Sequence, residues 1–350
     1  MPPGKEKRLS LALMFGADRH ALLRDIFAED VLVWLRQAPA IETLRRVWVQ
    51  QYYAQGGAIT WRTQQKEGIP RSDHFTSSSY DLDAHLARKR STHWIGYKAP
   101  LTESCGEDQP HLFTHVKGVA GPVAGGDMAP DIHQALSDKD LLPKGHLLGT
   151  GYIDAELLAQ SKQDHRIDLV GPTRPDYKWQ ARAEKGLDAG SFDINWERKV
   201  STCPGGRTII SWTPAMYKYS NETLKIKFSV RDCKLRLSRL RCTLVSRRTI
   251  NVRRQDHHMA LEAVRAREKS GEFALEYAQR AGIEGTISQG VRSMKLRRAR
   301  YVGLAKTRLE HIFVGAAINL VRIGNWLIGV PLAKTRKSSF VKLTTQPAFG

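Results

Sequence analysis

Residues 93–171 alternate between short β-rich runs and short helical ones, and this rhythm constrains the fold more than any other feature. HWIGYKAPL (93–101) and HLFTHVKGV (111–119) are rich in aromatic and β-branched residues. They flank the polar stretch ESCGEDQP, which predicts an antiparallel hairpin. GPVAGGDMAP then reads as a loop, PDIHQALSDKD as a short helix and HLLG (146–149) as a short buried strand. Asp154 stands where an N-cap belongs, ahead of AELLAQSKQD, and IDLVG (167–171) is a further strand. A hairpin followed by helix–strand–helix–strand predicts an α/β fold with a mixed sheet and flanking helices.

The flanks read differently. ADRHALLRDIFAEDVLVWLRQ (17–37) carries apolar residues at helical spacing. Pro39 suits the first turn of a second helix that places Ile41, Leu44 and Trp48 on one face. Residues 54–79 are rich in Gly, Ser and Gln and read as connection. Residues 172–255 break the α/β rhythm with Pro, Gly, Trp and three of the four cysteines, as a β-rich insertion does, and from residue 256 to about 329 the chain is helical again. The expected organisation is therefore an N-terminal helical segment and linker (1–79), a first α/β part (80–171), the insertion (172–255) and C-terminal helices (256–342).

The chain holds 55 Lys and Arg against 35 Asp and Glu, a net charge of +20. Its apolar fraction is 41%, enough to bury a core, so wholesale disorder is excluded. Four cysteines are too few for a disulfide-dense secreted scaffold, and a reduced, cytoplasmic setting is expected. Lys5, Lys7 and Arg8 before LSLALMFGA mimic a signal peptide, but Ser10 interrupts the run and no cleavage site follows, so export is not expected. HIFVGAAINLVRIGNWLIGV (311–330) has the length of a membrane span. Arg322 at its centre would cost roughly 2.5–3.5 kcal/mol there, so a buried helix with Arg322 snorkelling outward is expected.

The positive charge is concentrated. Arg231 to Arg308 holds 20 basic and 7 acidic residues, so 13 of the 20 excess charges lie there. From Gly285 to Leu309 no acid occurs, while Arg292, Lys295, Arg297, Arg298, Arg300, Lys306 and Arg308 are all basic, with Met294 and Tyr301 among them. Such density attracts a polyanion through counterion release, whatever its base sequence. DNA, ribosomal RNA and anionic lipid would all be served by it.

Several catalytic motifs are absent. GPVAGGD lacks the Lys-Ser/Thr of a phosphate-binding loop, GTG (149–151) lacks the third glycine of a dinucleotide turn, and neither His-Glu-x-x-His nor Gly-x-Ser-x-Gly occurs. What remains is EYAQRAGIEGTISQGVR (276–292), where Tyr277, Arg280 and Glu284 are three and then four residues apart and would share one helical face.

This helix edge, followed by SQGVRSMKLRRARYVGLAKTRLEHIFVGAAINLVR, resembles the C-terminal part of bacterial insertion-sequence transposases with a DDE, RNase H-like catalytic domain. The resemblance runs back through CPGGRT, DLVGP, GYKAPLTESC, SYDLDAHLARKR and PAIETLRRVWVQQYY and covers roughly residues 16 to 342. It implies an RNase H-like mixed sheet and three carboxylates holding two divalent ions, usually Mg²⁺. Water attack would nick the ends of the element, and the freed 3′-hydroxyl would attack target DNA. Glu284 matches the third carboxylate, and Tyr277 and Arg280 match the accompanying Tyr-x-x-Arg-x-x-x-Glu signature, with Arg280 toward a phosphate. The further basic residue stands at Arg292 rather than at Val291, its common spacing.

The departures matter as much. The second carboxylate should end the strand HLLG, where this chain has Gly149, one base change from aspartate in some codons. The first carboxylate belongs to a central strand upstream of the opening helices, and nothing matching it occurs. Asp81 and Asp83 correspond to a different segment, and Asp154 lies five residues past Gly149 at a helix start. An N-terminally truncated, degenerate transposase is therefore expected, with Mg²⁺ poorly bound at Glu284, no strand transfer and marginal stability from the unpaired sheet edges. The alternatives are a non-catalytic DNA-binding protein, alone, as a homo-oligomer or beside an intact transposase on the nucleoid, and a translated remnant without a stable fold. The family often carries Cys-x-x-Cys-Pro in the insertion, which suggests zinc. Here Cys203 and Cys242 are joined by a Cys233 followed by Lys-Leu-Arg-Leu, so Arg236 takes the expected ligand position and small buried thiols are expected in place of zinc.

Overall fold

A computed structural model describes residues 3–63, 68–106, 109–217 and 221–331. The chain is mixed α/β and divides into two compact units, Met1–Val123 with Ile283–Gly350, and Ala124–Gly282. Among the described residues the strands form six small sheets of two or three strands, in place of the single mixed sheet expected.

In the first unit the opening helix runs Lys5–Ile26, earlier at both ends than the sequence suggested. It stops because the Arg36 guanidinium turns back onto the carbonyls of Ile26, Ala28 and Val31, supplying donors that a continuing helix would have provided. Helix Pro39–Gln51 opens on Pro39. Its Ile41, Leu44 and Trp48 pack with Leu23, Tyr52 and Ile59. A Cβ at Gly16 would lie 2.7 Å from the Tyr52 ring, so glycine is what lets that ring seat. Residues expected to be connection instead begin with a hairpin, Tyr52–Gln55 against Ala58–Trp61. Gly56 and Gly57 turn it with φ of 57° and 81°, the left-handed pair a two-residue turn demands.

The pairing expected of residues 93–119 is present but broken in two. Leu101–Glu103 pairs with Phe113–Val116, and Tyr97–Lys98 with Val119–Ala120, while Thr92–Lys98 pairs on its other side with His85–Lys89. Helix Leu304–Leu327 lies on these strands. Asn319 clamps the backbone of Phe113, accepting its N–H at 2.7 Å and donating to its carbonyl at 3.0 Å. Among the described residues no helix is long and apolar enough to cross a membrane. Arg322 does not snorkel. Its guanidinium points inward to Glu103 at 2.9 Å, with the two side chains 18% and 6% exposed. Nor is the helix buried all round, since Phe313, Leu320 and Leu327 stand in solvent.

The second unit contains helix Gly125–Ser137, strand Gly145–Leu147, helix Ala155–His165 and strand Asp168–Val170. The loop expected before the first helix is shorter than the sequence suggested, because helix begins at Gly125 and accommodates Pro130 in its second turn. Pairing of Gly145–Leu147 with Asp168–Val170 is parallel, as a strand–helix–strand crossover requires. Leu148, Ile153, Leu157, Ile167 and Leu169 form the core beneath, joined by Leu261 and Val264 of helix Gln255–Arg267. His133 and His146 meet in this layer at 3.0 Å. Burial holds both rings down at about 4, well below an ordinary histidine, so they are neutral near pH 7. Farther on, Ile209–Tyr217, Asn221–Phe228 and Thr249–Arg253 form an antiparallel sheet over Phe192, Ile226, Phe228, Ile250 and Val252.

Candidate functional site

The strand Gly145–Leu147 ends in a turn that positions residue 149. Leu148 N–H donates to the Val170 carbonyl at 2.8 Å, extending the ladder by one residue. Tyr152 N–H then closes on the Gly149 carbonyl at 2.9 Å, turning the chain toward helix Ala155–His165. Asp154 caps that helix, one carboxylate oxygen accepting Glu156 N–H at 3.0 Å and Leu157 N–H at 2.9 Å. That oxygen is committed to the backbone.

Over the turn lies Arg280. A Cβ added at Gly149 would meet the Arg280 Nη2 at 3.4 Å and Cζ at 3.7 Å, van der Waals contact with no clash, and the Gly149 backbone is not left-handed. The position that bears no side chain therefore faces a guanidinium. Burial raises the Tyr152 phenol above its ordinary range, and Arg280 opposes that shift. Tyr277 stacks on Phe273 with ring centres 5.6 Å apart and planes 6° from parallel.

Tyr277, Arg280 and Glu284 do not lie on one unbroken helix. Helix Gly271–Ala278 stops, and Ala281–Ser293 begins after a two-residue turn. Gln279, Arg280 and Gly282 donate three residues back, to Glu276, Tyr277 and Gln279, so the winding tightens there and the expected stripe is interrupted. Tyr277 and Arg280 belong to the second unit, while Glu284 belongs to the first, exposed in the first turn of its helix. Among the described residues no three His, Cys, Asp or Glu side chains gather as a metal site.

Arg292, Lys295, Arg297, Arg298, Arg300, Lys306 and Arg308 are all exposed, on the segment that joins helix Ala281–Ser293 to helix Leu304–Leu327 and at its two ends. Arg300 pairs with Glu310, Nε to Oε1 at 3.7 Å. Two residues that sequence reasoning set aside fix the far end of this loop. Asp81 accepts Gly303 N–H at 3.2 Å, and Asp83 accepts Leu304 N–H at 2.9 Å, capping the long helix from outside. Tyr97 donates its hydroxyl to Asp81 at 2.7 Å, and burial reinforced by that carboxylate pushes its phenol well above the ordinary range. No local pattern announces this cap, because its donors and acceptors are more than 200 residues apart.

Cys203, Cys233 and Cys242 converge on one pocket with Phe192 and Phe228. Burial is the main reason the Cys242 thiol is raised. Arg236 stands among the three, donating to Cys203 Sγ at 2.7 Å. Three sulfurs with a cation at the fourth place do not fit structural zinc, which wants four donor ligands.

Residues 202–324 match the family described as the transposase DDE domain. That stretch is similar to DDE-domain sequence. No curated protein and no solved structure matches the chain. The matched stretch holds Tyr277, Arg280, Glu284, Cys203, Cys233, Cys242 and the whole basic loop, and Gly149 precedes it.

Proposed function

We propose that this protein is a transposase-derived DNA-binding protein that no longer carries out strand transfer. One observation supports the loss above the rest: the end of strand Gly145–Leu147 presents a hydrogen atom to Arg280 where the resemblance to DDE transposases places a metal-binding carboxylate. Paired-ion phosphoryl chemistry needs several acids, because each ion must be neutralised and held in a fixed oxygen cage. Glu284 alone of the matched positions is acidic, and Asp154, five residues past Gly149, has one carboxylate oxygen committed to capping its helix. These residues do not fit a Mg²⁺ pair. The parallel pair Gly145–Leu147 and Asp168–Val170 is read as the surviving strand–helix–strand part of an RNase H-like sheet.

DNA binding is supported by the seven exposed cations on one acid-free segment. Each phosphate contact releases counterions and contributes about −0.9 to the slope of log K against log salt, so full engagement of the seven gives roughly −6. Retention on duplex DNA over a salt series should show that slope, and alanine at Arg297 and Arg298 together should flatten it by about 2. Supercoiled DNA incubated with Mg²⁺ or Mn²⁺ should remain uncut. Cleavage that Glu284→Gln abolishes would overturn the reading, as would a slope near zero.

A further inference from the structure

We propose that the Arg236 guanidinium, in a pocket lined by three cysteines, does by hydrogen bonds what a metal ion would do by coordination, tying the Cys203 segment to the link between the two short helices that carry Cys233 and Cys242.

Three separate segments supply the sulfurs. Cys203 follows strand Val200–Thr202, Cys233 lies in helix Val230–Lys234 and Cys242 ends helix Arg239–Cys242. Arg236 is on the short link between those two helices, three residues after Cys233. Its two terminal nitrogens reach across to the first segment, Nη1 donating to Cys203 Sγ at 2.7 Å and Nη2 to the Gly205 carbonyl at 2.8 Å. Cys233 Sγ in turn accepts Arg248 N–H at 3.4 Å. A planar, multi-donor cation among soft acceptors is a directional cross-link.

The seat for this cation is built into the backbone. A Cβ at Gly205 would lie 2.1 Å from Arg236 Nη1 and 2.5 Å from its Cζ, so the missing side chain is the space that the guanidinium fills. Gly206 N–H closes on the Cys203 carbonyl at 2.8 Å, which folds the Cys-Pro-Gly-Gly turn around it. A cysteine at 236 would replace the guanidinium with a thiol three residues from Cys233, giving the Cys-x-x-Cys spacing and the fourth sulfur that a tetrahedral centre uses.

The test uses the full chain with Co²⁺ alone as the probe. Arg236→Cys should bind one equivalent, with the charge-transfer and d–d absorption of a tetrahedral thiolate centre. Wild type, and Arg236→Cys combined with Cys242→Ser, should bind at least tenfold more weakly. Independently of metal, Gly205→Ala and Arg236→Ala should each lower the unfolding midpoint by a few degrees, and the double variant should fall no further than the worse single one, because both remove the same cross-link. Three results would each overturn the proposal: stoichiometric Co²⁺ binding with those bands in wild type, a folded Arg236→Cys that takes none, or full additivity of the two destabilisations. If Arg236→Cys does not fold, the additivity measurement decides alone.

Discussion

Arg236 and Arg280 belong to the same compact unit; Arg236 stands at a position, and Arg280 faces one at Gly149, where the resemblance to DDE transposases implies a metal ligand. On the proposed reading Gly149 lacks a side chain, and Arg280 lies over that position without clashing with what a Cβ would add. Around Cys203, on the same reading, a guanidinium stands in for a ligand, and the backbone at Gly205 leaves room for it. Subtraction leaves the surroundings ready for the missing group. Substitution has recruited its surroundings, so reversal means removing an occupant first. Arg236→Cys would remove that occupant and supply a fourth sulfur at once, whereas Gly149→Asp would still leave the first matched carboxylate missing.

Arg322 sets the scale for this comparison, because it is an arginine with a full set of internal partners. Glu103→Gln would strand its cation in a half-closed interior, and breaking such a pair costs about 3–5 kcal/mol. Chemical denaturation should show a loss of that order, larger than for either Arg236→Ala or Arg280→Ala. A smaller loss than Arg236→Ala would mean that the thiol pocket is the more tightly built arginine site.

Acid should separate the two sites next. His146 is in the strand that leads to Gly149 and meets His133 of helix Gly125–Ser137, and burial keeps their folded values at about 4 against an ordinary 6.5. The native state binds fewer protons than the unfolded chain in this window, so stability is full above about pH 6.5 and falls as pH drops toward 4. About 4 kcal/mol should be lost between pH 7 and pH 5, roughly half from each ring, read from urea midpoints, and His146→Asn should flatten the curve. An unchanged slope in that variant would remove the histidine pair from the account.

The smallest effect tests the subtraction directly. Gly149→Asp should fold as wild type does and gain a pairing with Arg280 worth about 1 kcal/mol, since the position is only partly enclosed. In a double-mutant cycle with Arg280→Ala that coupling should appear as a favourable interaction, and zero coupling would mean that the guanidinium does not address residue 149.

How much of this could be read in advance depends on the range of the interaction. Pro39 opening its helix, Asp154 capping the next and the pairing of residues 101–103 with 113–116 are local events, and local chemistry announced them. The Gly56-Gly57 hairpin was equally local but lay inside a polar run that read as connection. Other features depend on tertiary partners. Whether Arg322 faces water or Glu103 depends on a residue 219 positions away, and the break after Ala278 reflects three tightened bonds that no apolar period encodes. The thiol pocket stood between these cases. Sequence spacing flagged Arg236 as out of place beside Cys233, but only the fold brings Cys203 and Gly205 to it.

Asp81 and Asp83 hold the start of the long helix from more than 200 residues away, and this has a consequence for experiments that trim the protein. A deletion series that crossed those two positions would leave every arginine of the basic loop in place, yet would release the end from which the loop is tethered. Weakened retention on DNA in such a series would then follow from the lost anchor point alone, and truncation by itself would not separate a tether from a footprint in the amino-terminal third.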